Sequence, residues 1–320
     1  MFNKYWREYP WFFQLVQFVL LVFVCLAFFS VISMFIVPLI TGVSPTKLHE
    51  FSFDSSPAER INMYFVVAVG QVGMFLIPSA LFAYAAHPKP LQYLGLRKPQ
   101  RGIHWIIVAV LALAAIPTVS GIAGLFDMIP LSEGLEASKV KFEAQQKALL
   151  NLTTPGEFII AMLTVALVAP IGEELMFRGI MMRFAAKKMV GSIFWPIALT
   201  AVLFASLHGN VVGFPSLIIS GMLLGYIYYL TGSLALSIFA HAIVNGSQAA
   251  IIYLGRGNAE LVKMMESNDI PWGLFLGGVV VFIASFYWLW KERTPLPRGW
   301  TNDFSPEELQ QREQEKNNMQ

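Results

Sequence analysis

Long apolar runs, separated by short polar or proline-marked stretches, recur along the chain. Eight of them reach or approach the roughly 20 residues that cross a bilayer core: about 12–38, 58–86, 102–125, 155–185, 192–209, 212–230, 233–254 and 271–290. The pattern predicts an all-α fold, a polytopic membrane helical bundle of about eight transmembrane helices. The first run is too long for the apolar part of a signal peptide and no A-x-A site follows it, so it is expected to stay as an anchor.

Polar punctuation marks several starts. Ser56-Pro57-Ala58-Glu59 and Thr154-Pro155-Gly156-Glu157 each offer a capping box with proline at the first helical position. In such a box the hydroxyl accepts an orphan backbone N–H while the glutamate reaches back to the cap. Ser305-Pro306-Glu307-Glu308 offers a similar start to a short surface helix in the polar tail. Residues 133–152 read as an amphipathic helix outside the bilayer. The expected organisation is therefore three N-terminal spans with a basic loop over 1–130 and a helical core over 131–254. An outer loop with the last span follows over 255–292, and a polar tail over 293–320.

Composition agrees and excludes. The chain is 320 residues long, 56% hydrophobic and 13% charged, against about 25% charged in soluble domains. The net charge of +2 comes without a basic stripe, so no nucleic-acid partner is expected, whereas membrane lipids are. Cys25 is alone, within the first span, which leaves no disulfide framework.

Lysine and arginine favour an orientation with both termini cytoplasmic. Lys4 and Arg7, the 87–101 loop, the 183–190 connection and the start of the tail then all fall inside. The 255–270 loop balances Arg256 and Lys263 against Glu260, Glu266 and Asp269, as an outer loop can. Lys139, Lys141 and Lys147, interleaved with acids, would face outward.

Against this background "VALVAPIGEELMFRGIMMRF", residues 165–184, stands out. An ionisable side chain at a span centre costs roughly 2.5–3.5 kcal/mol on insertion scales. Glu174 and Arg178 are at i,i+4 on one face, in the order that favours a pair. Glu173 points about 100° away and is left for another neighbour. Of five histidines, His49, His87 and His104 sit in loops or at a span edge, while His208 and His241 lie in or near spans. Phe204 precedes His208 by one turn, and Asn245 follows His241 by one turn on the same face.

Each element alone also has a packing reading: a Glu–Arg pair, a histidine or an asparagine commonly ties helices together. Gly221 and Gly225 form a GxxxG read as close helix packing. The coincidence of an unpaired glutamate, two histidines and an amide on three helices points instead to chemistry. No GxSxG, no intramembrane aspartate pair and no HExxH is present. A proton-relay transporter is disfavoured by the lack of repeated halves.

"EELMFRG", "FASLH" and "HAIVN", in that order on successive hydrophobic segments, resemble the EExxxR, FxxxH and HxxxN motifs of the CPBP family of intramembrane proteases. That family includes CAAX prenyl endopeptidases and bacterial Abi-like bacteriocin-processing and immunity proteins. Every motif position matches: Glu173, Glu174 and Arg178; Phe204 and His208; His241 and Asn245. "YLGLRKP" at 93–99 also resembles a stretch upstream in such proteins.

The resemblance implies a protease core within 131–254 and an intramembrane endopeptidase cutting near the membrane-embedded or C-terminal end of a peptide or lipidated protein. Glu173 with His208 would activate water, and His241 with Asn245 would stabilise the oxyanion. Glu174, with Arg178, would support Glu173, and Phe204 would be structural. A cofactor is left as either none or a single Zn²⁺ on Glu173, His208 and His241. The alternative is a non-catalytic membrane immunity or regulatory protein of the same family. The expected location is a bacterial inner membrane.

Overall fold

The computed structural model describes residues 5–44, 50–189, 191–211, 213–258, 260 and 271–318. Lys4, His49, Lys263, Glu266 and Asp269, used above, lie outside them. In lipid a backbone N–H or C=O finds no water, so each segment must satisfy its own, and helices result. Ten helices form among the described residues and are numbered in chain order. They are α1 (Trp11–Thr41), α2 (Pro57–Ala86), α3 (Ile103–Asp127), α4 (Glu133–Leu150), α5 (Pro155–Lys188), α6 (Phe194–Leu207), α7 (Phe214–Thr231), α8 (Leu234–Gly255), α9 (Trp272–Lys291) and α10 (Pro306–Asn318). A single turn at Pro90–Tyr93 joins them. No strand occurs among the described residues.

Among the described residues seven helices are long and apolar enough to cross a membrane, which supports an integral multi-pass membrane protein. The exception is α6. Its 14 residues span about 21 Å at about 1.5 Å per residue, short of the roughly 30 Å core. The expected span at 192–209 is thus a short helix, about two-thirds of the core's thickness, ending at Leu207, after which Gly209 takes φ 64° and the chain turns back. Helix α7 returns antiparallel to it. A Cβ on Gly221 would lie 3.0 Å from Ala201 Cα, and one on Gly225 would lie 2.8 Å from Ile197 Cγ2. The GxxxG therefore serves close packing within this hairpin.

The core forms around the C-terminal half of α5. Phe177, Ile180 and Met182 pack with Phe75 and Phe82 of α2, Phe204 of α6 and Tyr228 of α7. A second cluster joins α3, α7, α8 and α9 through Ile107, Leu111, Ile227, Leu236 and Leu289. The amphipathic helix α4 buries only Ala148 and is tied to α2 where the Tyr64 hydroxyl donates to Leu149 O at 2.8 Å.

All three capping signals are realised: Ser56 with Glu59, Thr154 with Glu157, and Ser305 with Glu308. At the α4 end of the bundle Glu157 also meets Arg60, buried, linking α5 to α2. Arg7 and the 300–308 segment lie at the opposite end. Arg7 donates to Glu308 Oε1 at 2.8 Å and to Asp303 O at 2.8 Å. Arg183, near the C-terminal end of α5, donates to Trp300 O and Asn302 O at 2.6 and 2.7 Å. Lys187 binds Asp303 at 2.6 Å. The tail is thereby strapped across that face. Leu234 N–H donates to Gly95 O at 3.0 Å, so the "YLGLRKP" stretch seats the start of α8.

Candidate active site

Helix α5 is not regular where its polar residues lie. Over Met162–Val168 and Leu175–Met181 the backbone widens into π-type turns, so that Ala169 N–H reaches Thr164 O and Met182 N–H reaches Phe177 O. Such turns gather at functional sites. The first orphans a carbonyl. Ala169 N–H is used by Thr164, and residue 170 is a proline with no N–H to give, so Val165 O has no helical partner. Asn245 of α8 supplies one, its Nδ2 donating to Val165 O at 2.9 Å. One of the two amide hydrogens of Asn245 is committed there, and the other is left.

Between the two π turns stand Glu173 and Glu174, both buried. Glu174 accepts three hydrogen bonds. Its Oε1 accepts from Arg178 at 2.7 Å and from His241 Nδ1 at 3.0 Å, and its Oε2 accepts from Ser237 Oγ at 2.7 Å. Arg178 also donates to Gly221 O at 2.8 Å, so the group knits α5, α7 and α8. The carboxylate accepts only, which places the hydrogen on Nδ1 of His241 and leaves Nε2 as the free nitrogen of the neutral ring. Nε2 lies 3.7 Å from Glu173 Oε2. At that spacing both atoms can hydrogen-bond one water at about 2.8 Å.

Glu173 faces differently, as its 100° offset requires. With His208 it lines a cavity of about 360 Å³ whose remaining walls are Leu26 of α1, Val67, Gly70, Gln71, Met74 and Phe75 of α2, Phe177 and Leu207. His208 caps α6, with Nδ1 2.8 Å from Phe204 O. A carbonyl can only accept, so here too Nδ1 carries the hydrogen and Nε2 is free. The Phe204 ring lies 4.4 Å from that of His208 and 5.9 Å from that of His241, with the Arg178 guanidinium 5.0 Å from its centroid. It is the apolar wedge around which the two imidazoles and the arginine are set.

All seven motif residues therefore gather on neighbouring turns of α5, α6 and α8. Glu173, His208 and His241 bear on the cavity or on one another; Glu174, Arg178 and Phe204 hold them; Asn245 ties α8 to the first π turn of α5. The short α6 brings His208 level with Glu173, since the helix stops about where Glu173 lies along α5. Both histidines have the tautomer a metal ligand would have. Yet among the described residues no group of three His, Cys, Asp or Glu side chains converges as a metal ion requires. The set does not fit a resident zinc ion in this arrangement.

Sequence reasoning missed three contributors. Ser237, four residues before His241, could have been found from its i,i+4 position on the same face. The Gly221 carbonyl and the α2 wall with Gln71 needed the tertiary fold.

Residues 155–247 match the family model described as type II CAAX prenyl endopeptidase Rce1-like. The matched stretch contains every motif residue and bears out the resemblance read from them. Comparison with curated proteins and with solved structures gives no match.

Proposed function

We propose, from the match of residues 155–247 to the type II CAAX prenyl endopeptidase Rce1-like family model, that the protein is an intramembrane endopeptidase. It hydrolyses a peptide bond near the membrane-embedded or C-terminal end of a peptide or lipidated protein. The observation that carries this reading is the meeting, inside the matched stretch, of a cavity-lining Glu173 and His208 with His241 Nε2 3.7 Å from Glu173.

A peptide carbonyl needs an activated water, a donor for the developing oxyanion and a proton for the leaving amine. Glu173 takes the proton of a water that His208 Nε2 helps to hold. The hydroxide adds to the carbonyl carbon. The resulting oxyanion is met by the second amide hydrogen of Asn245 and by His241, to whose Nε2 Glu173 passes the water's proton and from which it takes that proton back before collapse, while Glu174 holds the ring at Nδ1. Collapse breaks the C–N bond as Glu173 returns its proton to the amine. Arg178 neutralises Glu174, so that this carboxylate orients His241 and leaves the water's proton to Glu173. No step is routed through a metal.

We also propose a bacterial inner membrane as the location, with the face carrying Arg7, Arg183 and Lys187 toward the cytoplasm, as the positive-inside rule favours. The test is a comparison of membrane-peptide fragments in cells carrying the wild-type protein or Glu173→Ala at equal membrane level. Fragments present only with the wild type are the expected result. Identical fragment sets would refute the assignment.

A further inference from the structure

Gln71 belongs to none of the motifs, yet it stands midway along α2 in the wall of the cavity that Glu173 and His208 line. Its Oε1 is buried and meets no donor among the described residues. A buried amide oxygen without a partner is destabilising by an amount a leucine at the same place would avoid. A span that tolerates it therefore has a use for it when the cavity is filled. The local backbone agrees. Immediately after Gln71 the helix widens into a π-type turn over Val72–Leu76, with Ile77 N–H reaching Val72 O. This turn is pressed against the Glu173 segment: a Cβ on Gly172 would lie 3.0 Å from Phe75 Cβ and 3.2 Å from Leu76 N. On the other side of Gln71, Gly70 also lines the cavity, and a Cβ there would meet nothing within 4 Å. Room for a ligand thus runs along α2 beside the amide, while the turn after it is fixed to the helix that carries Glu173.

A carboxamide both donates and accepts, which is what an extended peptide backbone needs from a wall residue, since each peptide unit offers one C=O and one N–H. The other cavity-lining side chains besides Glu173 and His208 are apolar or glycine. We propose that Gln71 is a substrate-binding residue, its side-chain amide hydrogen-bonding the main chain of the peptide beside the scissile bond. This rests on the hydrolase reading above but concerns a residue outside its machinery.

The experiment uses purified full-length protein in lipid nanodiscs and a fluorescent peptide ending in a farnesylated CAAX sequence. Binding is measured on the Glu173→Gln background, with and without Gln71→Leu, and turnover with and without Gln71→Leu alone. The Gln71→Leu change should raise Kd and KM roughly fivefold, the weight of one neutral hydrogen bond, and leave kcat within about twofold. Thermal stability should be equal or higher, because an orphan amide is removed. Replacing individual peptide bonds of the probe by esters should weaken binding at one position, and that sensitivity should disappear with Gln71→Leu. Equal affinities of the two proteins, including no measurable binding by either, overturn the inference. So does an affinity change accompanied by a fall in thermal stability and no ester-sensitive position. If the wild type does not turn the probe over, the hydrolase reading fails for that substrate, and the binding comparison still decides the role of Gln71.

Discussion

Near the start of α5, Glu157 is buried against Arg60; halfway along the same helix, Glu174 is buried against Arg178. Both pairs join α5 to neighbouring elements, and each carboxylate accepts hydrogen bonds on both oxygens. Glu157 takes its remaining hydrogen bonds from the backbone N–H groups and hydroxyls of Thr153 and Thr154, closing its own capping box. Glu174 takes one from Ser237 and one from His241, and the other nitrogen of that imidazole bears on Glu173. A buried ion pair is therefore no sign of chemistry by itself. What separates the two is a titratable ring relaying the pair's geometry to a group that lines a cavity.

The sharpest way to break this comparison is to truncate both acids. Removing one partner of a buried pair costs about 3–5 kcal/mol, so Glu157→Ala and Glu174→Ala should both lower thermal stability strongly. Rates per folded molecule should part: near wild type for Glu157→Ala, and down by about 10²-fold or more for Glu174→Ala, which also frees His241. Equal loss of rate in both would reduce the Glu174 cluster to structure. A smaller effect is expected at Asn245. Asn245→Leu leaves Val165 O without its donor, a loss of about 1–3 kcal/mol visible in thermal unfolding, and removes the proposed oxyanion donor, so kcat should fall more than KM rises.

The smallest effect lies at the terminal face. Arg7 and the Ser305 N–H hold the Glu308 carboxyl well below its ordinary 4.5, at about 2. A depressed carboxylate pKa stabilises the folded form above the ordinary value and loses that contribution as pH falls. The tail strap should therefore resist proteolysis at neutral pH and become cleavable between about pH 4.5 and 2. Arg7→Gln should move that opening toward higher pH, and an unchanged profile would exclude this tie.

Much of this was legible in the residues. Apolar runs fix where helices form, because lipid leaves the backbone no other partner, and Ser56, Thr154 and Ser305 mark starts through local hydrogen bonds that need no tertiary context. Spacing also separated Glu174, paired with Arg178, from Glu173. That α6 stops at Leu207, short of the bilayer's thickness, was not legible: Gly209 and Asn210 mark a turn, but the apolar residues before them do not show how much of the run is helical. Nor were the π turns: a periodicity of 3.6 does not show which carbonyl Pro170 will orphan, and so the bond from Asn245 to Val165 was hidden. Gln71 belongs to no motif, and its place in the cavity wall depends on α2 lying against the helix that carries Glu173.

In the proposed mechanism Glu173 activates the water that cuts the peptide. Purified wild-type protein and Glu173→Gln can be compared in nanodiscs for the rate at which they cleave one farnesylated CAAX peptide, with thermal unfolding measured on the same samples. A fall of about 10³-fold or more in kcat at unchanged unfolding temperature is the expected result. Cleavage by Glu173→Gln at the wild-type rate would contradict it.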